Sequence, residues 1–432
     1  MTGLFVSELN ETIFSTALPT LAGELGAAAH LQWVTTAYVA ASTVVMLLYG
    51  RLSDRLGRKP LFLAALSIFL LGSVIGALAP TMAALVTGRA VQGLGGGGLL
   101  ILVQAMLADL VPARQRARAL AAVSAVFAVA AVLGPVLGGG LVERLDWRAV
   151  FWVSVPLALV ALVAAAAALP PQTARPTAPS PPLLLLRNRN VAIPTVASMI
   201  MAVAMFGTIT YLPTYLQLAR RLTPTQSGLM MLALIGGLGL ATVGSAQLVS
   251  RTGHHRVLPI TGAGLAALGL LLLGSLELDA SLVLVGFALF VLGAGLGCAL
   301  QILLVIVQVS VPAADVGTAT AGYDLSREIG VTIGAAAIGA VLTARLAGRV
   351  AQDGLTAAGL DPANLTPERL RSLPDGLQAA VALAYHDALT PIFGALAPLM
   401  IMSGAALAFL RPTTLGAPDA VDPSTAAAVS SR

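Results

Sequence analysis

Residues 50–60 read Gly-Arg-Leu-Ser-Asp-Arg-Leu-Gly-Arg-Lys-Pro, a charged stretch between two apolar blocks of helix length. Each block is long enough to cross a lipid bilayer, which takes about 20 apolar residues. Gly50 and Gly57 permit a tight turn and a close approach of neighbouring helices. At a membrane edge, the carboxylate of Asp54 can pair with an arginine or face the N-terminus of a helix. The stretch therefore predicts a loop that joins two membrane helices and latches one conformation.

The composition of the chain excludes a water-soluble protein. Of 432 residues, 57% are hydrophobic and 10% are charged, whereas a soluble domain is about one-quarter charged. Breaking the apolar blocks at charges, proline and glycine leaves twelve spans of helix length. They lie near 4–24, 32–52, 60–80, 83–109, 118–141, 149–170, 190–218, 225–250, 257–276, 280–310, 317–344 and 388–410. The pattern predicts an all-α polytopic membrane protein with twelve transmembrane helices.

The spans divide into two six-helix bundles, 1–170 and 190–411, joined by a proline-rich linker at 171–189. The second bundle contains a long extracytoplasmic loop at 346–387, and a tail follows at 412–432. Fourteen basic residues fall in the linker, tail and loops assigned to the cytoplasm, and four in the short outside loops. This bias follows the positive-inside rule. It predicts an inner-membrane protein with both termini, the linker and the tail in the cytoplasm, and it explains the net charge of +5 without a nucleic-acid partner.

Three short matches indicate that the two halves are repeats. Leu18-Pro19-Thr20 recurs as Leu212-Pro213-Thr214, and Val111-Pro112-Ala113 recurs as Val311-Pro312-Ala313, at offsets of 194 and 200. Residues 54–58 have a weaker match 196 positions later in the sequence. Each match occupies an equivalent place in its half. Together they predict duplicated six-helix units related by an axis along the membrane normal.

Several motifs resemble those of one transporter family. The stretch 50–60 resembles the loop motif of the major facilitator superfamily. The first half is similar to the drug:proton antiporter branch of that family at residues 9–13 with 17–19, at 89–93 and at 134–139. The second half resembles the same branch at residues 211–217 with 227–229 and at 327–330.

The resemblance implies a major facilitator fold that exports lipophilic or cationic small molecules in exchange for protons, by alternating access, as a monomer in the lipid bilayer. Many members of this branch have fourteen spans, but the linker leaves no room for the extra helix pair, which favours twelve. The acid common in span 1 of the branch is replaced here by Asn10, with Glu11 next to it. The site of proton binding is therefore open between several acids.

Charged residues inside spans are candidates for proton coupling because each costs about 2.5–3.5 kcal/mol on insertion scales. Glu8 and Glu11 share one face of a helix, where repulsion and loss of water favour the protonated form of one carboxyl group. Asp324 and Glu328 are four residues apart, with Arg327 alongside. Glu8 also fits a solvated position at the cytoplasmic edge, and the Asp324 group also fits a structural ion pair. The predicted proton-coupling residues are Glu11, Glu8, Asp324 and Glu328.

Polar and aromatic side chains in the spans predict the substrate cavity, since adaptable apolar walls with a few polar groups suit diverse ligands. The predicted substrate-binding residues are Asn10, Arg89, Gln92, Tyr211, Tyr215, Gln301 and Gln308, and Tyr38, Gln104 and Phe206 are further candidates. Helix packing is the alternative for each of them. Arg89 is expected to tune a nearby carboxylate or to contact substrate.

The predicted gating residues come from the charged loop, the inner end of span 4, the glycine-rich part of span 5 and span 11. They are Gly50, Asp54, Arg55, Gly57, Arg58, Asp109, Gly134, Pro135, Gly138, Gly139 and Arg327. The glycines of span 5 clear one helix face and Pro135 interrupts the hydrogen-bond ladder, so this span can bend or seal against a neighbour. A packing seam without a role in antiport is the alternative.

Enzymatic chemistry is not indicated. No Ser-His-Asp or Cys-His constellation is visible in the spans, and Cys298 is the single cysteine. The adjacent His254 and His255 lack partner ligands and fit a solvated turn better than a metal site. We therefore expect no metal and no cofactor. Two alternatives to drug efflux remain open: a facilitator or metabolite transporter of the same fold, and a non-transporting membrane receptor or scaffold.

Overall fold

The computed structural model describes residues 1–24, 31–144, 146–169, 180–253, 256–352, 370 and 373–410. These residues form twelve long helices and no strand. The helices are α1 (Thr2–Glu24), α2 (Leu31–Leu56), α3 (Arg58–Ala77), α4 (Met82–Leu110), α5 (Ala113–Arg144), α6 (Ala149–Ala168), α7 (Arg189–Thr214), α8 (Pro224–Thr252), α9 (Val257–Gly274), α10 (Leu282–Val309), α11 (Val316–Gln352) and α12 (Asp375–Leu407). Within this part of the chain, ten helices are long and apolar enough to cross a membrane. The predicted all-α membrane fold is confirmed.

Three short elements interrupt the pattern. A single helical turn, Pro182–Leu185, lies in the linker, a π-helical turn, Tyr215–Ala219, ends α7, and a 3-10 turn, Ala313–Asp315, precedes α11. The predicted linker residues 171–179 and tail residues 412–432 lie outside the described residues.

The helices α11 and α12 extend into the segment that was predicted to be an extracytoplasmic loop, 346–387. α11 continues to Gln352 and α12 begins at Asp375. Leu346 in the first extension and Val381 in the second are buried. Because the extensions carry an apolar face that packs on the core, they remain helical beyond the apolar blocks.

Glycine determines how α4 fits between its neighbours. A Cβ atom at Gly93 or Gly97 would lie 2.3 or 2.4 Å from the carbonyl oxygens of Tyr38 and Ser42 in α2. A Cβ atom at Gly95 would lie 2.5 Å from backbone atoms of α3. Real Cβ atoms do not approach other atoms so closely, so α4 contacts both helices backbone to backbone. The glycine-rich run of α4 is a packing surface.

The second bundle repeats this arrangement at an offset of 200 residues. Gly293 and Gly297 of α10 face the carbonyl oxygens of Leu234 and Leu238 in α8, and Gly295 faces α9. Each α10 glycine therefore has the same packing role as its counterpart in α4. The repeat found in the sequence extends to the contacts between helices.

In each bundle a basic residue of the second loop forms hydrogen bonds with the end of the last helix. The ammonium group of Lys59, after α2, donates to the carbonyl oxygens of Ala166 (2.8 Å) and Leu169 (2.5 Å) at the end of α6. The guanidinium of Arg256, after α8, donates to the carbonyl oxygen of Ala408 at the end of α12. The last carbonyl groups of a helix lack partners within it, and cations there complement the helix dipole. Each bundle is thus tied from its second loop to its last helix.

The bundles meet along pairs of helices that exchange under the repeat. In the described residues α2 contacts α11 and α5 contacts α8, and weaker contacts join α4 to α11 and α5 to α10. Shifting every helix by six positions converts α2–α11 into α8–α5 and α4–α11 into α10–α5. The two bundles are therefore related by approximate twofold symmetry.

Two glycines of α9 test the backbone packing. A Cβ atom at Gly262 would lie 2.6 Å from the carbonyl oxygen of Gly295 in α10, whereas a Cβ atom at Gly264 would have nothing within 4 Å. We expect Gly262→Ala to destabilise the protein by about 1–3 kcal/mol through overpacking. Gly264→Ala should be neutral or stabilising by up to about 1 kcal/mol, because alanine favours helix. Thermal unfolding in detergent measures both, and equal effects of the two changes would contradict the packing described.

Candidate transport site

The carboxylate of Asp54 joins the two bundles at the end of the molecule that is predicted to be cytoplasmic. It accepts hydrogen bonds from the backbone N–H groups of Gly317 (3.0 Å) and Thr318 (2.8 Å) and from the Thr318 hydroxyl (3.0 Å). These donors belong to the first turn of α11, where N–H groups lack helical partners and the helix dipole favours a negative charge. Asp54 is 2% exposed. One buried carboxylate therefore caps a helix of the opposite bundle.

Both glycines of the charged stretch contribute to this contact. A Cβ atom at Gly50 would lie 2.5 Å from the Cβ atom of Ala321 and 2.7 Å from the carbonyl oxygen of Gly317. Gly57 has a φ of 87°, in the left-handed region that residues with a Cβ rarely adopt. Gly50 lets α2 touch α11, and Gly57 turns the chain into α3.

Arg58 extends the contact to α4. Its guanidinium lies 3.6 Å from the Asp54 carboxylate and 2.6 Å from the Asp109 carboxylate, and its side chain is buried. We call Asp54, Arg58, Gly317 and Thr318 the α2–α11 latch. Arg55, which was also predicted to gate, is exposed.

The linker is fixed beside the latch. Asp315, which is buried, accepts hydrogen bonds from the backbone N–H (2.7 Å) and the hydroxyl (3.0 Å) of Ser180. The Asn188 side chain donates to the carbonyl oxygen of Ser310 at 2.8 Å. The end of the linker is therefore bound to the turn between α10 and α11, two residues before the latch. Sequence reasoning missed this clip, because no local pattern connects residues 135 positions apart.

The antiporter-like segment of α5 packs against α1. A Cβ atom at Gly134 would lie 2.1 Å from the hydroxyl oxygen of Thr12, and that hydroxyl donates to the carbonyl oxygen of Ala130 at 3.0 Å. Gly138 is buried in the same helix. Pro135 and Gly139 belong to α5, and their surroundings lie outside what the structure describes. The segment supports close helix contact.

Arg89 lies in a neutral cage inside the first bundle. Its Nη1 donates to the side-chain oxygens of Asn10 and Gln92, both at 3.0 Å. Its guanidinium carbon lies 4.4 Å from the ring centre of Phe14 and 4.3 Å from that of Tyr38, which is cation–π geometry. The cage binds the charge through amides and aromatic faces.

The cage is tied to two further helices. The amide of Asn10 donates to the hydroxyl of Ser154 in α6, and the amide of Gln92 donates to the hydroxyl of Ser73 in α3, both at 2.7 Å. Asn10, Arg89 and Gln92 are 1% exposed or less. These three predicted substrate-binding residues are therefore buried and hydrogen-bonded within the first bundle.

The structure brings together charges that the sequence places more than 300 residues apart. Glu8 and Glu11 of α1 are partly exposed. The charge of Glu8 interacts with Glu11 and also with Arg327 and Glu328 of α11, and Glu11 interacts with Arg89 and Glu328. We call Glu8, Glu11, Asp324, Arg327 and Glu328 the α1–α11 acid cluster.

The α1–α11 acid cluster has more negative than positive groups. Arg327 lies 3.8 Å from the Glu328 carboxylate. Asp324 is 1% exposed and its Oδ2 atom has no hydrogen-bond partner. Three of the carboxylates, those of Glu8, Asp324 and Glu328, therefore share the Arg327 guanidinium, and the fourth, Glu11, interacts with the caged Arg89. An excess of carboxylates between two bundles suits the binding of a proton or a cation.

The other predicted substrate-binding residues connect helices. The hydroxyl of Tyr211 donates to the carbonyl oxygen of Ala335 at 3.1 Å. Tyr215 lies in the π-helical turn against α12, with its hydroxyl 3.2 Å from Nδ1 of His386. The last two, Gln301 and Gln308, bond to Ser124 and Thr320. His386 was not singled out, because it falls in the predicted extracytoplasmic loop 346–387 and not in an apolar span.

In the described part of the chain, no group of three or more His, Cys, Asp or Glu side chains is arranged to hold a metal ion. His254 and His255 lie outside it.

The latch can be tested with a matched pair of neighbouring residues. Asp54→Asn removes the charge that caps α11, and a hydrogen bond to a charged group is worth about 1.5–3 kcal/mol. In a Cys298→Ser background, a cysteine at the buried Ala321 should react with maleimide about tenfold faster after this change. Arg55→Gln removes an exposed charge from the same loop and should leave the rate unchanged. An unchanged rate in Asp54→Asn would show that the carboxylate does not hold α2 against α11.

Comparisons with known proteins agree with this geometry. The model of the Major Facilitator Superfamily matches residues 1–353. The uncharacterized MFS-type transporter Rv1877 of Mycobacterium tuberculosis is 32% identical, over 90% of this chain and 65% of its own length. The chain thus spans about two thirds of that relative. The multidrug transporter protein MdtP of Bacillus subtilis is 28% identical over 79% of this chain and 74% of its own length.

A solved structure shows the same fold. The human organic anion transporter MFSD10 (TETRAN) superimposes with a TM-score of 0.72 over 94% of this chain and 97% of its own, at 18% identity. The relatives and the solved structure are transporters, which confirms the expectation that the chain is not an enzyme. The family model matches most of the chain, in agreement with the charged loop and the duplicated bundles. The chain therefore belongs to the Major Facilitator Superfamily of membrane transporters.

Proposed function

We propose that the chain exports lipophilic or cationic small molecules in exchange for protons by alternating access. The observation that carries the proposal is the burial of Asp324 in α11, where it is 1% exposed and its Oδ2 atom has no hydrogen-bond partner. Acids at the junction between the bundles can respond to ligand and proton while the bundles change their relative position. The names of two relatives, a multidrug transporter and the efflux pump MMF1 of Mycosarcoma maydis (29% identical over 92% of this chain and 76% of its own length), support export.

Exchange follows from competition for negative charge. A carboxylate of the α1–α11 acid cluster cannot hold a proton and balance a cation at the same time. Protonation from outside releases the substrate, and loss of the proton inside restores binding. A ligand shifts a conformational equilibrium only by its differential affinity for the two states. The acids provide that difference because they belong to both bundles.

Within the first bundle, Arg89 and Asn10 determine where the proton binds. Asn10 cannot ionise, so the amides around Arg89 leave its charge unbalanced in the cage. That charge acts on Glu11. We infer that Glu11 is the principal proton-coupling residue of α1, with Glu8 as the second acid, and that Asp324 and Glu328 act from α11.

The driving force depends on stoichiometry. A charge that crosses the membrane is worth about 2.3 kcal/mol per 100 mV. One proton exchanged for a neutral substrate therefore supports a gradient of about fiftyfold from voltage alone. One proton exchanged for one monovalent cation is electroneutral and gains nothing from voltage. Two acids in α1 accommodate either ratio.

The bias of basic residues towards one side supports an orientation with both termini in the cytoplasm of an inner-membrane protein. In that orientation the α2–α11 latch closes the cytoplasmic side. We further propose that the chain functions as a monomer, since the proposed proton-coupling residues come from both bundles of a single chain.

Purified protein in liposomes tests the coupling. With ethidium as a lipophilic monovalent cation, an imposed pH gradient should drive its transport, and Glu11→Gln should lower the driven rate by about tenfold or more, an effect of about 1.4 kcal/mol or more on coupling. Glu8→Gln should have a smaller effect. Glu277→Gln neutralises an exposed acid outside the α1–α11 acid cluster and should retain the wild-type rate.

Two results would contradict the proposal. Ethidium flux that follows its own gradient and ignores pH in every variant would indicate a facilitator. Binding of ethidium without flux under any gradient would indicate a receptor or scaffold.

A further inference from the structure

An exposed apolar surface lies on the linker, between the two bundles in sequence. Leu183, Leu184 and Leu186 are 80%, 48% and 43% exposed, whereas Leu185 between them packs against the hydrophobic core. We call residues 182–188 the linker turn. Exposed apolar side chains that lie next to one another mark a surface at which a protein meets a membrane or another molecule.

The linker turn is held at both ends. Before it, Ser180 is hydrogen-bonded to Asp315, and at its last residue the Asn188 side chain donates to the carbonyl oxygen of Ser310. Within it, the backbone N–H of Asn188 donates to the carbonyl oxygen of Leu185 at 3.1 Å. The exposed leucines therefore belong to a turn whose position on the protein is fixed.

The linker turn lies where the chain enters the membrane. Arg189 directly follows it and is the first residue of α7, one of the helices that are long and apolar enough to cross a bilayer. A short apolar segment beside basic residues can lie in the plane of the membrane interface, with its apolar side chains at the boundary between headgroups and acyl chains. The exposed leucines are therefore within reach of the bilayer surface.

Two arginines give this surface its charge. Arg187 and Arg189 are exposed, and among the residues that the structure describes neither forms an ion pair. The sequence contains no acidic residue between Asp146 and Glu277. Phosphate groups supply the complementary charge, and arginine binds them through charge-assisted hydrogen bonds.

We propose that the linker turn docks on anionic phospholipids at the surface of the bilayer. The three exposed leucines enter the boundary of the acyl chains, and Arg187 and Arg189 bind the phosphate groups of the lipids. The inference rests on the proposed function only for the side of the membrane. With both termini in the cytoplasm, these lipids belong to the cytoplasmic leaflet, whose surface is negatively charged.

Other parts of the chain do not supply the charge that the arginines require. Residues 170–179 contain Arg175 and no acid, and residues 411–432 contain two aspartates and two arginines. A symmetric dimer through the linker turn would bring the arginines of both copies together, which repulsion between like charges disfavours. An anionic lipid satisfies the leucines and the arginines at once.

Brominated lipids test the docking, because bromine on an acyl chain quenches a fluorophore that touches it. The full chain with Cys298→Ser and Leu184→Cys would be labelled with bimane in nanodiscs of phosphatidylcholine and phosphatidylglycerol in equal parts, with one lipid brominated at a time. Brominated phosphatidylglycerol should quench about fivefold more strongly than brominated phosphatidylcholine, the factor expected for a basic residue near an anionic surface. Raising the salt from about 0.15 M to about 1 M should reduce this preference to about twofold or less, because screening becomes stronger.

Variants of the arginines separate charge from contact with the acyl chains. Arg187→Gln combined with Arg189→Gln should reduce the preference to about 1.5-fold or less, while quenching by phosphatidylcholine remains. Arg187→Lys combined with Arg189→Lys keeps both charges and should keep most of the preference. The matched control is Arg251→Gln, which removes an exposed arginine from the end of α8 and should leave the preference unchanged.

A second label position calibrates the measurement. Val163 is 67% exposed in the apolar helix α6, and a label at Val163→Cys should be quenched alike by both brominated lipids in every variant. The preference at Leu184→Cys is measured relative to this position.

Three results would overturn the inference. Absence of quenching at Leu184→Cys by either lipid would show that protein or water covers the leucines. Equal quenching by both lipids would show that anionic lipid is not selected, and an unchanged preference in the glutamine variant would show that the arginines do not select it. The readout needs no transport: lipid preference without pH-driven ethidium flux would contradict the proposed function alone, and driven flux without lipid preference would overturn only this inference.

Discussion

The contact between the Asp54 carboxylate and the first turn of α11 is the constraint on which the rest of the structure depends. A helix end leaves N–H groups without partners, and a buried donor without a partner costs free energy. In this chain a residue of the opposite bundle supplies the acceptor. The start of α11 is therefore satisfied only while the bundles are together at this end. When the bundles separate at this end, water must take the place of the Asp54 carboxylate at the same N–H groups.

Inside each bundle, by contrast, the helices pack tightly through their backbones. Backbone-to-backbone contacts at glycines of α4 and α10 leave no room for helices to slide. Lys59 and Arg256 fasten the last helix of each bundle to its second loop. Apart from the close approach of Gly50 to α11, the contacts described between the bundles involve side chains such as Asp54 and Gln301, which can exchange partners at little cost in packing. Relative motion is therefore expected between bundles and not within them.

The sequence was sufficient for the class of fold and for part of the site. Apolar blocks of helix length predict the helices, and a carboxylate at a membrane edge predicts either an arginine or a helix terminus as partner. Asp54 has both, Arg58 and α11. The identity of α11 as the partner could not be predicted, because no local pattern connects residues more than 260 positions apart. The same limit applies to Glu8 and its interaction with Arg327.

Polar residues in apolar spans were the least predictable. Such a residue can line a cavity or pair with another polar group, and the local sequence is the same in both cases. Asn10, Arg89 and Gln92 pair with one another and with serines of two further helices. Helix ends were also uncertain, since the extension of α12 to Asp375 depends on burial of Val381 against the core. Both outcomes are decided by tertiary packing.

The clip between Ser180 and Asp315 has a geometric consequence for the whole transporter. Ten residues, 170–179, separate Leu169 at the end of the first bundle from the clipped serine, and a fully extended chain of that length reaches about 35–40 Å. The covalent connection is thus anchored beside the gate and not at α7. While the clip holds, the reach of these ten residues sets an upper limit on how far that end of the two bundles can separate.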